Sequence, residues 1–366
     1  MGRSGFLTVL ILSGAYLAYL AGSGFGSGQE IMQYFTAYGY VGVAGIVISA
    51  ALWASYAVFI VRDSRNFRLQ SLHQVYLFYC GKYLGNALFI FSIAYLFCMA
   101  SLMIAGSGAA FSQYFDVGNQ LGRIIMTAMV LVTGLLGMKK MVDVIGSLGP
   151  CIIVFVMLIA VIALFEGANS VEAGNEYINT HNLLKPTDNW LWAAFMYFSY
   201  CILFQAAYLS GIAMTNPAST RQLTLSVVIG ATLYVAACIV MLLAFMANIT
   251  VLDGIEVPNL HLGASINPIL GAIYGAVLVA ALYTTTAPLI WSVTNAFVSE
   301  STSTYKWVIV MTSVLAYFAS GVSSFSVLVN IVTTVAAYIG ILYVIPVFYV
   351  KFVKRPVPSE SLQSAS

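Results

Sequence analysis

Four alternating glycines followed by an amide and an acid form the stretch of this sequence with the clearest chemistry. Residues 21–30 read AGSGFGSGQE, inside an apolar run long enough to cross a membrane. Each glycine costs a helix about 1 kcal/mol relative to alanine, so the spacing predicts that the helix breaks here.

In lipid, backbone groups released from a helix need partners in the protein or in a water-lined cavity. Free N–H groups can hold a carboxylate and free carbonyls can coordinate Na⁺. The candidate ligands for the polar head of a bound solute are Gly22, Ser23, Gly24, Phe25 and Gly26.

Gln29 and Glu30 follow the glycines directly and favour a binding site over a packing seam. Small residues also let helices pack closely, but close packing does not require an amide and an acid beside them. A carboxylate inside a membrane is costly and indicates function by default. Glu30 is the one acid that the sequence places within the membrane. It could pair with a cationic substrate, carry a coupling proton, or hold the break open through hydrogen bonds. Alternatively, it only caps the upper half-helix, where a helix N-terminus favours negative charge.

Two later apolar runs carry groups that could complete such a site. In the sixth run, Tyr197, Phe198 and Tyr200 could enclose a substrate or bind its ammonium group through cation–π contacts. Gln205 adds an amide, and ordinary packing is the alternative role for all four residues. In the eighth run, residues 284–288 are three threonines, an alanine and a proline. Threonine oxygens beside a broken helix can help to coordinate Na⁺, or they bond only to their own proline-kinked helix.

The composition requires that the elements holding these residues lie in lipid. Of 366 residues, 61% are hydrophobic and 7% are charged, whereas soluble domains carry about 25% charged residues. The net charge of +2 leaves no basic tract for nucleic acid. The five cysteines lie in apolar stretches without a CxxC motif, and the sequence contains no HExxH and no Ser/His or paired-Asp constellation in its apolar runs. We therefore predict a membrane protein that is not an enzyme, binds no nucleic acid and needs no cofactor apart from a coupling ion.

Ten apolar runs approach the roughly 20 residues that a helix needs to cross a bilayer. They are residues 6–35, 41–61, 82–105, 121–137, 142–164, 190–213, 223–247, 266–297, 307–322 and 325–352. Alternating ten-residue patterns typical of a β-barrel are absent from the sequence, so ten helices are predicted, with the first uncleaved. Of the 14 Lys and Arg residues, only Arg123 and Lys185 fall outside when the N-terminus is placed inside. Both termini are therefore predicted to be cytoplasmic.

The ten runs divide into two halves of equal length and opposite topology. The first half covers about residues 6–164 and the second about residues 190–352. Five spans per half invert the second half, as an inverted-repeat transporter requires. We predict one transmembrane domain over residues 1–355, with a short surface helix in the acidic stretch 166–188. Residues 356–366 form a polar tail that is predicted to be disordered and cytoplasmic.

The glycine run also carries a family resemblance. Gly-Ser-Gly-Phe at residues 22–25 resembles the Gly-Ser-Gly-Ile element in the broken first helix of the amino acid–polyamine–organocation permease superfamily. The longer string over residues 22–31, with Tyr-Phe at 34–35 and Tyr-Gly at 38–39, resembles the YkvI-type bacterial membrane proteins, which are similar to the same superfamily. The resemblance implies the LeuT-type fold, a five-plus-five inverted repeat of helices. In that fold the first and sixth helices are discontinuous, and the substrate lies between them against the third and eighth.

The LeuT-type fold further implies a sodium site. One site of that fold joins first-helix carbonyls to two hydroxyl residues of the eighth helix. Carried onto this sequence, it places Na⁺ at Thr285 and Thr286 with the backbone of Gly22 and Phe25, and Thr284 is the alternate ligand. Some members of the superfamily replace this sodium with a lysine of the fifth helix. The fifth span here contains no lysine, which favours sodium.

The resemblance also implies a gate. In the sixth span, however, the sequence departs from the pattern of the family. Arg3 and Glu300 lie at the cytoplasmic ends of the first and eighth spans and resemble the inner gate pair of the fold. The sixth span departs from the permease pattern, because it contains no glycine before Gly211 that would mark the expected break.

Residues and resemblance together predict a secondary active transporter that moves a small organic solute by Na⁺-coupled alternating access. The expected solute is an amino acid or a related amine. The alternatives are proton coupling through Glu30, a quaternary amine or polyamine as cargo, and, from another class, a nutrient receptor or a channel. The expected location is the bacterial cytoplasmic membrane, with a small-molecule substrate and lipid as partners, in a monomer or homodimer.

Overall fold

All regular structure in the described part of the chain is helical. The computed structural model describes residues 3–21, 23–136, 148–298 and 301–354. Its α-helices are α1 Arg3–Leu20, α2 Ser23–Ser27, α3 Gln29–Tyr34, α4 Val41–Phe67, α5 Leu72–Phe115, α6 Asn119–Leu136, α7 Leu148–Phe165, α8 Val171–Thr180, α9 Trp190–Thr215, α10 Thr220–Ala247, α11 Ile249–Leu252, α12 Pro258–Ile266, α13 Pro268–Phe297, α14 Tyr305–Ala319 and α15 Phe325–Tyr349. The predicted all-α class is confirmed for these ranges.

Five of these helices, α4, α5, α10, α13 and α15, are long and apolar enough to cross a membrane. The two halves of the bent helix α9 would together make a sixth span. Four shorter apolar helices lie within α1, α6, α7 and α14, at the positions of the remaining predicted spans. The chain is a multi-span helical membrane protein. The count of ten crossings, the two equal halves and the cytoplasmic termini remain predictions.

The first span is broken at the glycine run. α1 ends at Leu20, α2 covers only Ser23–Ser27, and α3 begins at Gln29. Gly28 separates α2 from α3 with a φ of 87°, in the left-handed region that glycine adopts without steric cost. The break lies where the glycine spacing predicts it.

The sixth span is bent rather than interrupted. The two halves of α9 meet at an angle of 49° on either side of Phe204. Beside the bend, the carbonyl of Leu203 accepts a hydrogen bond of 2.6 Å from the Tyr76 hydroxyl, and the carbonyl of Ile202 accepts one of 3.4 Å from the Tyr56 hydroxyl. Side-chain donors that compete for helix carbonyls are a recognised cause of bends. Phenols from neighbouring helices therefore mark this bend, which explains why no glycine signals it in the sequence.

Glycines let neighbouring helices of the bundle approach closely. The bent helix α9 packs against α4, α5 and α15. A Cβ atom on Gly340 of α15 would lie 2.1 Å from the carbonyl oxygen of Ser199, and one on Gly230 of α10 would lie 2.8 Å from that of Ser13 in α1. Small residues at such positions let helices approach closely in the absence of a hydrophobic driving force between them.

Three short α-helices, α8, α11 and α12, lie between the long apolar helices. The surface helix predicted within residues 166–188 is present as α8, capped by the Ser170 side chain. The helix α12 was not predicted, and its last residue, Ile266, lies at the predicted start of the eighth span. That start is wrong by two residues: Asn267 caps α13 by accepting hydrogen bonds from Ile269 and Leu270, and Pro268 occupies the first helical position.

A buried ion pair joins α4 to the end of the last span. Lys351 Nζ lies 2.5 Å from Asp63 Oδ1, and the Tyr79 hydroxyl donates to Asp63 Oδ2. Asp63 is only 3% exposed, so it is a second buried acid beside the predicted Glu30. The predicted second span stopped at residue 61, whereas α4 continues to Phe67.

Breaking this ion pair should destabilise the protein, and removing both charges should restore much of the loss. Removing one partner of a buried pair leaves an uncompensated charge, and because Lys351 is partly exposed we expect Asp63→Asn to cost about 3 kcal/mol, the lower end of the usual range. The double variant Asp63→Asn/Lys351→Met should unfold at a higher temperature than Asp63→Asn alone. Thermal unfolding in detergent measures both. Strictly additive losses would show that the two charges are not coupled.

Candidate functional site

Glu30 lies at the break of the first span, with its side chain folded back from α3 onto α2. The residue is 8% exposed. A Cβ atom on Gly24 would lie 1.9 Å from Glu30 Oε1 and 2.7 Å from Oε2. The carboxyl group therefore fills the space that any side chain at position 24 would need. Glycine at this position is required for the observed placement of Glu30.

Two tyrosines of the sixth span hold the Glu30 carboxyl group. The Tyr200 hydroxyl donates to Oε2 at 2.7 Å, and the Tyr197 hydroxyl approaches the same atom at 3.5 Å. Tyr197 is in turn 2.9 Å from the hydroxyl of Tyr234 on α10. These partners are neutral phenols, which supply hydrogen bonds but no compensating charge. The structure thus brings the predicted residues Gly24, Glu30, Tyr197 and Tyr200 together.

Aromatic rings surround this cluster. The ring of Tyr197 has four neighbours within 5.3 Å between centroids, which are Tyr34, Phe35, Trp53 and Tyr200. Phe25 and Trp53 also pack against Tyr234, at 5.4 and 5.5 Å. Ring faces carry partial negative charge and attract cations. A buried carboxyl group among electron-rich rings is therefore suited to a positively charged ligand.

The carbonyls released by the break are paired by residues that the sequence analysis did not select. Asn259 Nδ2 donates to the carbonyls of Phe25 and Gly26 at 3.1 and 2.9 Å. The Tyr274 hydroxyl also donates to the Gly26 carbonyl. Asn259, which is fully buried, comes from α12 and thereby fastens that helix to the break. Pro258 marks the start of a helix in the sequence, but nothing there shows that Asn259 faces the first span.

Gln29 points away from the Glu30 cluster. Its Nε2 donates to the carbonyl of Ile255 at 2.7 Å, and its Oε1 accepts a hydrogen bond of 2.9 Å from Gln33. Gln33 Oε1 accepts a further bond of 3.2 Å from Asn330 on α15. This buried chain of amides ties α3 to the last span and to the loop before α12. Gln29, which was predicted to bind the solute, therefore shares no hydrogen-bond partner with Glu30 in this structure.

Two other candidates of the sixth span also lie apart from Glu30. Gln205, beside the bend, accepts a hydrogen bond of 3.4 Å from the Tyr16 hydroxyl. Phe198 packs on Tyr56 and Phe195, with centroids 6.4 and 6.1 Å apart. Both residues are buried. Their contacts fit ordinary packing, which was the alternative to ligand binding.

The threonines predicted to hold Na⁺ bond to their own helix. Thr284 and Thr285 donate to the carbonyl of Ala281 at 2.9 and 3.1 Å, and Thr286 donates to that of Leu282 at 2.6 Å. Their oxygens keep lone pairs for a cation, so the sodium site stays a prediction. α13 contacts Gly26 through Leu278, and Thr285 lies about 10 Å further along the helix axis at 1.5 Å per residue.

Several predicted residues fall outside the described part of the chain. They are Gly22 and Glu300, together with the side chains of Ser23 and Arg3. The Gly22 carbonyl of the predicted sodium site therefore lies outside the described residues. The Arg3–Glu300 gate pair stays a prediction. The polar tail predicted from residue 356 onward also lies outside.

Comparison with solved structures identifies the fold of the chain. The chain superposes on a manganese transporter from Eremococcus coleocola, bound to an aromatic bis-isothiourea compound, with a TM-score of 0.61 and 15% identity, over 100% of this chain and 85% of that one. It superposes on MhsT in complex with L-phenylalanine with a TM-score of 0.55 and 14% identity, over 96% and 89% of the two chains. This chain has the LeuT-type fold. The Eremococcus coleocola neighbour is a manganese transporter and not an enzyme.

At the level of sequence, the resemblance to YkvI is confirmed. The chain is 26% identical to the uncharacterized membrane protein YkvI of Bacillus subtilis over 148 residues, which are 40% of this chain and 43% of that protein. The matched region therefore spans less than half of that relative. No protein-family model matches the sequence.

Replacing Asn259 should loosen the break without touching Glu30. Asn259→Ala removes both hydrogen bonds of the amide to the first span, and interhelical hydrogen bonds in membrane proteins contribute about 0.6 kcal/mol each. We expect a loss of about 1 kcal/mol in the free energy of unfolding, measured by thermal unfolding in detergent. Asn169→Ala, which removes the amide of an exposed pair with Thr250, is the control and should change little. Equal stability of Asn259→Ala and wild type would show that α12 does not hold the break.

Proposed function

We propose that this protein is a secondary active transporter for a small organic solute, an amino acid or a related amine, that works by alternating access. In this proposal ten spans form a five-plus-five inverted repeat with both termini in the cytoplasm of a bacterium. The LeuT-type fold supports it, since a neighbour with this fold is a manganese transporter. The break in the first span supports it further, because solute sites of inverted-repeat transporters lie at broken helices, and the bent sixth span packs its tyrosines against this break.

The observation that carries the proposal is the position of the Glu30 carboxyl group between both proposed halves. It contacts Gly24 of the first span and Tyr200 of the sixth. In the part of the chain that the structure describes, Glu30 has no basic side chain within ion-pair distance. A buried carboxylate held by neutral donors needs a proton or a cation for charge balance. Gaining and losing that positive charge is what a coupled carrier must do as it changes conformation.

A metal ion is less suited to this site than an organic solute. Mn²⁺ prefers several carboxylate, carbonyl or water oxygens around it, whereas the partners of Glu30 are phenols with aromatic rings behind them. Among the described residues, no group of three or more His, Cys, Asp or Glu side chains comes together. The aromatic walls favour the organic solute.

Two couplings fit the proposal. In the first, Na⁺ binds at Thr285 and Thr286 with the carbonyls of Gly22 and Phe25. In the second, Glu30 itself carries a proton. The Phe25 carbonyl already accepts a hydrogen bond from Asn259, and a carbonyl oxygen can accept a second partner. The contacts of Glu30 favour the proton, and the hydroxyl residues of α13, a helix that contacts the first span at Gly26, favour sodium.

Gradient-driven uptake into proteoliposomes tests the proposed role of Glu30. Glu30→Gln keeps the size of the side chain and removes its charge, so uptake driven by an ion gradient should fall by at least tenfold while the protein stays folded and monodisperse. Glu172→Gln on the exposed face of α8 is the matched control and should transport normally. Full gradient-driven uptake by Glu30→Gln would remove this residue from the mechanism.

Sodium dependence tests the threonine site separately. The double variant Thr285→Ala/Thr286→Ala removes two oxygen ligands of the proposed ion, so the sodium concentration for half-maximal uptake should rise about tenfold or more. Thr232→Ala, which loses only a back-bond to Val228 on an exposed helix face, serves as control. If the double variant keeps the wild-type sodium dependence, Na⁺ does not bind there, and proton coupling through Glu30 is favoured.

A further inference from the structure

A carboxyl group of the chain itself already occupies the glycine run. Solute carboxylates were predicted to bind at residues 22–26, but the chain supplies a carboxyl group of its own to this place. All three carboxyl atoms of Glu30 lie 1.9 to 2.7 Å from where a Cβ of Gly24 would be. The carboxyl group reaches Gly24 because Gly28 turns the chain with a positive φ and directs α3 over α2.

The second observation concerns charge. Glu30 is buried, and its hydrogen-bond partners, Tyr197 and Tyr200, are uncharged. A zwitterionic α-amino acid bound here would place a second carboxylate beside the first. Two carboxylates sharing a poorly hydrated site repel each other strongly. A solute with one ammonium group and no carboxylate would instead balance the charge of Glu30.

Aromatic rings surround the tyrosines that bind the Glu30 carboxyl group. Tyr34, Trp53 and Tyr234 stand around the tyrosines that hold Glu30, with ring centroids 5.2 to 5.6 Å from a neighbouring ring. Aromatic faces next to a carboxylate recognise ammonium groups through cation–π attraction together with ion pairing. They offer nothing comparable to an anion.

From these three observations we infer that the solute bound at Glu30 is an organic amine cation without a carboxylate group. Its ammonium group pairs with Glu30, and the Glu30 carboxyl stands where the carboxylate of an amino acid would lie. This inference rests on the proposed function and narrows its substrate class from amino acids and amines to amines alone.

Matched pairs of compounds test the inference on the purified full-length protein. Each pair is an amine with a single positive charge and its parent α-amino acid, such as phenethylamine with phenylalanine, tyramine with tyrosine, and isoamylamine with leucine. Binding is measured by thermal stabilisation, since a ligand that binds the folded state raises its stability, and then by calorimetry. In at least one pair the amine should bind at least tenfold more tightly than its parent acid, and Glu30→Gln should abolish that preference.

A change at Gly24 separates the carboxyl position from the mere presence of the acid. In Gly24→Ala the new methyl group displaces the Glu30 carboxyl, so the amine should bind at least tenfold more weakly although Glu30 is retained. Gly14→Ala on α1 is the control, because no atom lies within 4 Å of the added methyl group. That variant should bind the amine as wild type does.

The outcomes distinguish the inference from the function on which it rests. If an amino acid binds as tightly as its amine or more tightly, and is taken up by proteoliposomes, the inference is wrong and the transporter proposal stands. If no amine binds the wild-type protein, the inference is also wrong. If amines bind with the expected preference but no compound crosses the membrane, the substrate class holds and the transporter proposal fails.

Discussion

A carboxyl group buried in a membrane protein needs partners, and the centre of this structure is arranged around that need. Glu30 is only 8% exposed. Gly24 leaves room for it, and Tyr197 and Tyr200 donate hydrogen bonds to it. Losing either tyrosine would remove a hydrogen-bond donor from this buried carboxyl group at a depth where water does not replace it, and a side chain at position 24 would displace the group. The break in the first span and the tyrosines of the sixth span therefore depend on each other.

The same constraint governs the backbone. Helix breaks and bends in lipid expose carbonyls that must be paired within the protein, and this chain pairs them differently in its broken first span and its bent sixth span. In the first span, the carbonyls of Phe25 and Gly26 accept hydrogen bonds from Asn259 of α12. In the sixth span, phenols of Tyr56 and Tyr76 reach the carbonyls beside the bend. The break comes from glycine, and the bend is marked by neighbouring side chains.

This difference explains how much could be predicted from the sequence. Glycine spacing is local, so the break at residues 21–28 and the buried acid after it were predictable, as were the positions of the apolar helices. The bend at Phe204, the Asn259 contact and the Asp63–Lys351 pair depend on residues far apart in sequence. Without the fold, a periodic pattern cannot show which tyrosine meets which carbonyl. The same limit applies to Gln29 and Phe198, whose side chains contact the Ile255 carbonyl and the Tyr56 ring. A ligand role for these two residues stays a prediction.

Isotope-edited infrared difference spectroscopy of the Glu30 carboxyl group would show whether this residue meets the solute. Spectra of the reconstituted protein are recorded with and without a bound amine, and the Glu30 bands are assigned by their loss in Glu30→Gln. If the carboxyl group pairs with the ammonium group, amine binding must change the carboxyl or carboxylate stretching bands assigned to Glu30. A solute that binds and is transported while these bands stay unchanged would contradict the placement of the solute at Glu30.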